Sequence, residues 1–476
     1  MLPRLDLPES DVIVIGSGPN GLAAAIVLAQ AGCSVTVIER STQIGGGAKS
    51  AELTVPGFLH DVCSAVHPMA AGSPFFCTLP LADYGLRWIH SPVPLAHPLD
   101  DGSAVLLKRS LHGTAEELGP DGEAYRHLLA PILNGWDALL PNLLAPIRIP
   151  KNPLPMVAFG IQALRSARGL ASHVFRQERA RALFAGMAAH SMLPLEKSPS
   201  AAFGLVLALA GHSVGWPIAQ GGSQQLSNAL ANYLQSLGGR VVTGMTVNSL
   251  DQLPVARAIL ADITPRQLLK MTGDRLPRAY RKKLEEYRYG PGAFKIDYAL
   301  KQPIPWKSPD CSQAATVHLG GSLDEMCDSE RGPWQGRVSE HPFVLLSQPT
   351  LFDSTRAPAG RHVAWVYCHV PNGYSSDVTE QIERQIERFA PGFREIVLKR
   401  SVLAPRALEQ QNPNLVGGDI NGGAADLRQL FLRPTFRTYA TPLKGLYLCS
   451  ASTPPGGGVH GMCGYAAAKL ALRQLF

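Results

Sequence analysis

The sequence predicts an α/β protein in which a parallel-sheet, Rossmann-like part is interleaved with a second part made of a mixed sheet and a helical lid. Three observations carry this reading. A strand, a glycine turn, a helix and a second strand ending in an acid fill residues 11–40; a second glycine-rich turn lies close to the C-terminus; and the 476 residues, 45% hydrophobic, suffice for more than one core.

The N-terminal unit is the most specific of the three. Val12, Ile13, Val14 and Ile15 are β-branched and apolar, as a strand buried on both faces requires, and they run directly into Gly16, Ser17, Gly18, Pro19, Asn20 and Gly21. An alanine-rich helix follows over 22–31, Gly32 ends it, 34–38 form a second strand, and Glu39 stands at its tip, 18 residues after Gly21. Each glycine has its own reason. Gly16 makes the tight turn, Gly18 lets the backbone approach a pyrophosphate, and Gly21 lets the helix pack on the strand. Phosphates would sit on the helix N-terminus, and Glu39 would accept hydrogen bonds from ribose hydroxyls. This βαβ unit does not by itself separate NAD from FAD. The residues after it do: Arg40 leads into a second turn, Gly45, Gly46, Gly47 and Ala48, suited to wrapping backbone amides around the extended pyrophosphate of FAD.

At the other end, 445–450 read as a short strand, followed by Thr453, Pro454, Pro455, Gly456, Gly457, Gly458, Val459, His460 and Gly461 and then an alanine-rich helix. Gly456, Gly458 and Gly461 have dinucleotide-turn spacing, but only 15 residues remain, too few for a second βαβ unit. The turn reads instead as a helix N-terminus whose amides face the N1/C2 edge of a flavin ring. No separate NAD(P)H domain is expected.

Residues 238–247 read as a strand returning to the nucleotide and 258–262 as another, so the cofactor domain is discontinuous: 1–84, 212–275 and 410–476. The substrate domain takes 85–211 and 276–409. Within it, 85–110 alternate as strands do, 113–210 form a helical lid broken at Pro141, Pro146, Pro150, Pro153 and Pro155, and strands return at 293–300, 343–347 and 362–369.

The net charge of +7 is spread along the chain, and its densest basic stretch, 278–288, also holds Glu285 and Glu286, the pattern of a solvated helix face; no nucleic-acid partner is expected. The eight cysteines form no CxxC pair or His-spaced cluster, so no metal site is expected. The first ten residues lack a basic-then-apolar leader pattern, which points to a cytoplasmic protein. The apolar run 201–211 is far shorter than the ~20 residues of a spanning helix, and this leaves peripheral membrane contact open.

Catalytic residues are less legible, since hydride transfer to a flavin needs orientation and a dry pocket more than a protein base. His460, inside the C-terminal turn, would tune the flavin N1 edge or relay a proton, or would only bond backbone. His67 and Trp216 are candidate pocket walls, and Lys295, alternating along a strand, points either into the pocket or into solvent. His190, on an apolar helical stretch, reads as a satisfied core histidine.

The first glycine motif from Asp11 to Gly21, the Gly45–Ala48 turn and the tail from Tyr447 to Gly461 together resemble the phytoene dehydrogenase-related NAD(P)/FAD-dependent oxidoreductases, and within them the pyridine nucleotide-disulfide oxidoreductase domain-containing protein 2 branch. Blocks at 215–222, 289–295 and 415–420 extend the resemblance over nearly the whole chain. It implies a Rossmann-like FAD-binding domain of the glutathione-reductase/amine-oxidase type, with Val247 at the position whose backbone meets adenine. It also implies hydride transfer from a small, largely apolar substrate to flavin N5, with electrons passed to oxygen, a quinone or another acceptor. Relatives include redox-neutral isomerases, and a non-catalytic FAD-containing interaction protein is a further alternative. Two departures stand out. Ser450, Ala451 and Ser452 replace the acid that often binds the ribityl chain, and Ala48 and Lys49 replace a common arginine, leaving backbone amides, with Arg40 or Lys49 in addition, to neutralise the pyrophosphate.

Overall fold

The computed structural model describes residues 4–146 and 153–476, so Pro150 lies outside the described residues. Two sheets organise them. The first is five-stranded and parallel, with the order Leu446–Leu448, Ala258–Ala261, Val12–Ile15, Val35–Ile38, Arg240–Val242. Its central strands are buried at every position because helices cover the sheet, which is why they read as continuous apolar runs.

The helix Pro19–Gln30 packs against the C-terminal helix Met462–Leu475 and the helix Gln224–Ser236, so the two ends of the chain meet. A Cβ on Gly464 would fall 1.8 Å from the carbonyl oxygen of Asn20, so the two helices touch backbone to backbone. The strand expected over 238–247 stops at Val242. Gly244, at a φ of 71°, leaves extended geometry and turns the chain back toward Ser41, whose carbonyl accepts its N–H.

The second sheet has seven strands in the order Val397–Leu403, Gly292–Leu300, His362–Val370, Val344–Ser347, Ala314–Leu319, Val93–Pro98, Ala104–Leu107. Every pairing is antiparallel except that of Ala314–Leu319 with Val93–Pro98. One face packs on the helix Thr379–Phe389; the other joins a continuous apolar core that reaches through the lid to the helix Pro19–Gln30. The lid is built of Leu111–Glu117, Gly122–Leu133, Trp136–Leu143, Pro153–Ala163, Ala167–Val174, Glu178–Ala189 and Ser200–Ser213. Its prolines do not all break helices. Pro141 lies inside Trp136–Leu143, whereas Pro153 opens the next helix, where the missing N–H would be unpaired anyway.

Candidate active site

One cavity of about 970 Å³ runs from the N-terminal glycine turn to the lid. Gly16, Gly18, Pro19, Asn20, Glu39, Arg40, Gly46, Gly47, Ala48 and Val247 line one end; Gly457, Gly458, Val459 and His460 line the middle; His67, Trp216 and Lys295 line the substrate side. Thus almost every residue singled out from sequence meets in one space. Gly21 and Gly45 instead shape the backbone beneath it. A Cβ on Gly21 would lie 2.0 Å from the Gly16 carbonyl oxygen, and one on Gly45, whose φ is 117°, would lie 2.5 Å from that of Ala48. The two glycine turns abut as well, since a Cβ on Gly46 would stand 3.0 Å from the Gly18 Cα.

Glu39 is buried at the strand tip, and both of its oxygens are engaged. Oε2 accepts from Ser17 N at 3.0 Å and Ser17 Oγ at 2.7 Å, and Oε1 accepts from Ser41 N at 2.9 Å. It therefore fixes the glycine turn while standing at the cavity wall. Arg40 is exposed and Lys49 half-buried, and both line the cavity. Burial lowers the Lys49 pKa, while Glu39 raises it.

Sequence reasoning missed Asp262, at the end of the strand Ala258–Ala261. Its Oδ2 accepts the N–H of Gly21 at 3.0 Å and would lie 2.7 Å from a Cβ on Gly18, so it sits directly against the dinucleotide turn. Burial pushes its pKa up to about 7; the Gly21 N–H opposes that shift and Glu39 adds to it. Because Pro19 has no N–H and that of Gly21 is taken, Asn20 carries the uncommitted amide in the first turn. The signal in the sequence was an acid closing an apolar strand, but its partner is 241 residues away.

The C-terminal turn is organised by His460 and Arg433. His460 is buried; its Nδ1 accepts the Met462 N–H at 3.0 Å, so Nε2 carries the proton, and burial lowers its pKa to about 4. The first amide of the C-terminal helix is therefore bound by His460. Arg433, buried and unforeseen, donates to the carbonyls of Ala451 at 3.0 Å and Asn421 at 2.7 Å. In the stretch without an acid, Ser450 Oγ donates to Ile263 O at 2.7 Å and Ser452 Oγ to Gly422 O at 2.8 Å, so these hydroxyls brace the cavity wall.

On the substrate side, His67 Nε2 pairs with Ser223 Oγ at 3.0 Å, and Trp216 donates to Leu207 O at 3.2 Å. Lys295 points inward, not into solvent: it is 3% exposed and ion-paired with buried Asp297. His190 is not a core residue. It caps the C-terminus of Glu178–Ala189, lines the cavity, and its Nε2 lies 3.0 Å from His318 Nε2.

The shape fits a dinucleotide with a planar head group. Gly18, Gly21 and Gly45 leave no room for a Cβ, the acid stands at the second strand tip, and the cavity continues past the C-terminal turn into an apolar chamber bounded by Met156, Phe159, Phe203 and Val206. This fold and site define an FAD-type oxidoreductase whose cofactor is FAD or a related nucleotide. Residues 14–74 match the NAD(P)-binding Rossmann-like domain family. The chain is 27% identical to pyridine nucleotide-disulfide oxidoreductase domain-containing protein 2 of Mus musculus, over 98% of this chain and 94% of that protein. It is 25% identical to a neurosporene-forming phytoene desaturase of Rhodobacter capsulatus, over 95% and 91% of the two chains. Among solved structures it is similar to an oxidoreductase from Methanosarcina mazei (TM-score 0.68, 16% identity, 97% and 100% covered) and to putrescine oxidase bound to putrescine (TM-score 0.62, 17% identity, 99% of each chain). The phytoene dehydrogenase-related resemblance and the amine-oxidase-type fold expected from the motifs are both borne out.

Asp262 gives the site a pH signature. Its folded pKa lies above the unfolded value, so between about pH 4 and pH 7 the native state holds the extra proton and stability falls as pH rises. Asp262→Asn keeps an acceptor for Gly21 N–H but removes the slope. The stability of Asp262→Asn relative to wild type is expected to increase by a few kcal/mol, on the order of ~1 kcal/mol per pH unit, across that window. Urea midpoints at pH 4.5 and 7.5 measure it, and a pH-independent difference would contradict the assignment.

Proposed function

We propose that the cavity binds FAD and that the chain oxidises a small, largely apolar molecule beneath the lid, with electrons passing on to oxygen, a quinone or another acceptor. FAD bound here would accept a hydride at N5. The observation that carries the reading is the continuity of one cavity from Glu39, through the Gly457–His460 turn, to the lid chamber. The protein's own contribution is to position and dry the reacting centre: the glycine turns hold the dinucleotide by backbone, and Trp216, Phe159 and Val206 exclude water around the substrate.

The flavin, photoreduced without oxygen and then mixed with air or a short-chain quinone, is expected to reoxidise within seconds with at least one of them, as followed by its visible absorbance. Indifference to every acceptor would favour a non-catalytic flavoprotein. Conversion of a substrate only while the flavin stays reduced, with no net turnover of electrons, would favour a redox-neutral isomerase.

The lid supports the apolar substrate. Helix Pro153–Ala163 turns Met156, Phe159 and Ala163 to the cavity, yet leaves Leu154, Val157 and Ile161 at 76%, 54% and 64% exposure. Spaced three or four apart, these residues form a second apolar face. No helix among the described residues is long and apolar enough to cross a membrane. We read this face as a peripheral contact through which an apolar substrate enters from lipid. Val157→Glu with Ile161→Glu is expected to reduce sedimentation with phosphatidylcholine–phosphatidylglycerol vesicles at least fivefold. Equal sedimentation of variant and wild type would contradict the contact.

A further inference from the structure

A row of buried histidines behind the cavity has no part in the account so far. His97 and His318 occupy neighbouring parallel strands, one step beyond the Val317–Ala96 pair, so both side chains lie on the same face of the sheet. They face the helix Glu178–Ala189 at Gly186, where a Cβ would stand 2.7 Å from His318 Nδ1 and 3.3 Å from His97 Nδ1. Both rings are 0% exposed, and neither Nδ1 has a hydrogen-bond partner. On the cavity side, His318 Nε2 pairs with His190 Nε2 at 3.0 Å; on the far side, His97 Nε2 lies 2.9 Å from the Gly321 carbonyl.

The partners decide the tautomers. A carbonyl only accepts, so His97 Nε2 carries its proton and Nδ1 is a lone pair. If His318 were protonated at Nε2, two buried lone pairs would face Gly186 in a dry interior; protonated at Nδ1, it places a donor on the same side as the His97 acceptor, although the two are not hydrogen-bonded in the resting structure. His318 Nε2 is then an acceptor, His190 Nε2 its donor, and His190 Nδ1 a lone pair on a residue that lines the cavity. All three rings point their N–H groups the same way, from cavity to Gly321. Burial lowers the pKa of His190 to about 3 and of His97 to about 4, so the row is neutral at rest. The charged groups around it are Glu325 and Arg388, which act on His97, and the buried His369–Glu330 pair, whose histidine acts on His190 and His318.

We propose that His190, His318 and His97 form a directed proton relay, with His190 as the base at the cavity wall and the other two as positioning residues behind it. The proposal rests on the oxidation argued above, in which a substrate losing a hydride to the flavin must also lose a proton. His190 Nδ1 takes that proton; Nε2–H of His190 passes to His318 Nε2, and Nδ1–H of His318 passes to His97 Nδ1 after a small ring rotation. The positive charge comes to rest on His97, whose Nε2–H is still held by Gly321 O. When the flavin delivers its two electrons to oxygen or a quinone, the proton returns along the row. The substrate's two hydrogens then appear in peroxide or quinol, and atoms and electrons balance.

The test needs no substrate. Two-bond proton–nitrogen correlation on the full-length, FAD-loaded protein labelled with nitrogen-15 histidine, and assigned with His97→Gln, His190→Gln and His318→Gln, is expected to show Nε2–H tautomers at His97 and His190 and an Nδ1–H tautomer at His318. An Nε2–H tautomer at His318 would overturn the relay, and the wild-type pattern alone suffices if a variant fails to fold. Exchange of the His318 ring proton with D2O is expected to slow at least tenfold in His190→Phe; an unchanged rate would also overturn it. Flavin absorbance in the same samples reports cofactor binding separately, so the relay can fail while the FAD reading stands.

Discussion

Backbone must touch backbone at the start of the helix Pro19–Gln30, and the rest of the cofactor site depends on that contact. Gly21 lies against the Gly16 carbonyl, Gly46 against Gly18, and Gly464 of the last helix against the Asn20 carbonyl, each too close for a Cβ. The arrangement brings residues from both ends of the chain to one turn. Asp262 closes it from below through the Gly21 N–H, and Glu39 from the side through Ser17. An anionic dinucleotide in this cavity would therefore meet peptide dipoles rather than a cluster of cationic side chains, with Arg40 and Lys49 at the cavity edge.

A second constraint ties the hairpin Ser50–Glu52/Leu59–Asp61 to the turn before the helix Gln224–Ser236 and to the loop holding Asp353 and Arg356. Arg356, 0% exposed, donates to Asp61 Oδ2 at 3.0 and 3.1 Å and to Asp353 Oδ2 at 3.1 Å. Asp61 also accepts from Ser50 Oγ at 2.8 Å and Ser223 N at 2.7 Å, and Asp353 accepts from Gly221 N at 2.7 Å. The guanidinium holds the Asp61 carboxyl below its usual pKa against the burial that would raise it. Every charge is hydrogen-bonded, so the network fixes the 216–223 segment that carries Trp216 and Ser223 beside the cavity.

What was legible in the sequence was local. The strand, turn, helix and acid of residues 12–39 declare themselves because each glycine and apolar position answers to a neighbour a few residues away. The C-terminal turn was legible as a segment that would reach the cavity, but not that His460 would occupy the Met462 amide, since that depends on a side-chain rotamer. Asp262, Arg356, Arg433 and the His318 row were hidden for a common reason: their partners lie far along the chain and are met only when sheets and lid assemble. His190 illustrates the limit. An apolar surrounding pattern says that a residue is covered, not that a cavity lies on one side of it. The strand expected to run to Val247 failed where glycine backbone freedom at Gly244 outweighed the β-rich pattern.

The central claim is that the glycine cradles and the cavity beyond them hold FAD. The visible absorption spectrum of the purified protein, followed by heat release and identification of the chromophore, tests it most directly. Flavin bands near the usual two visible maxima, with FAD and not FMN in the supernatant, are the expected result. A colourless protein that also fails to take up added FAD would contradict the account.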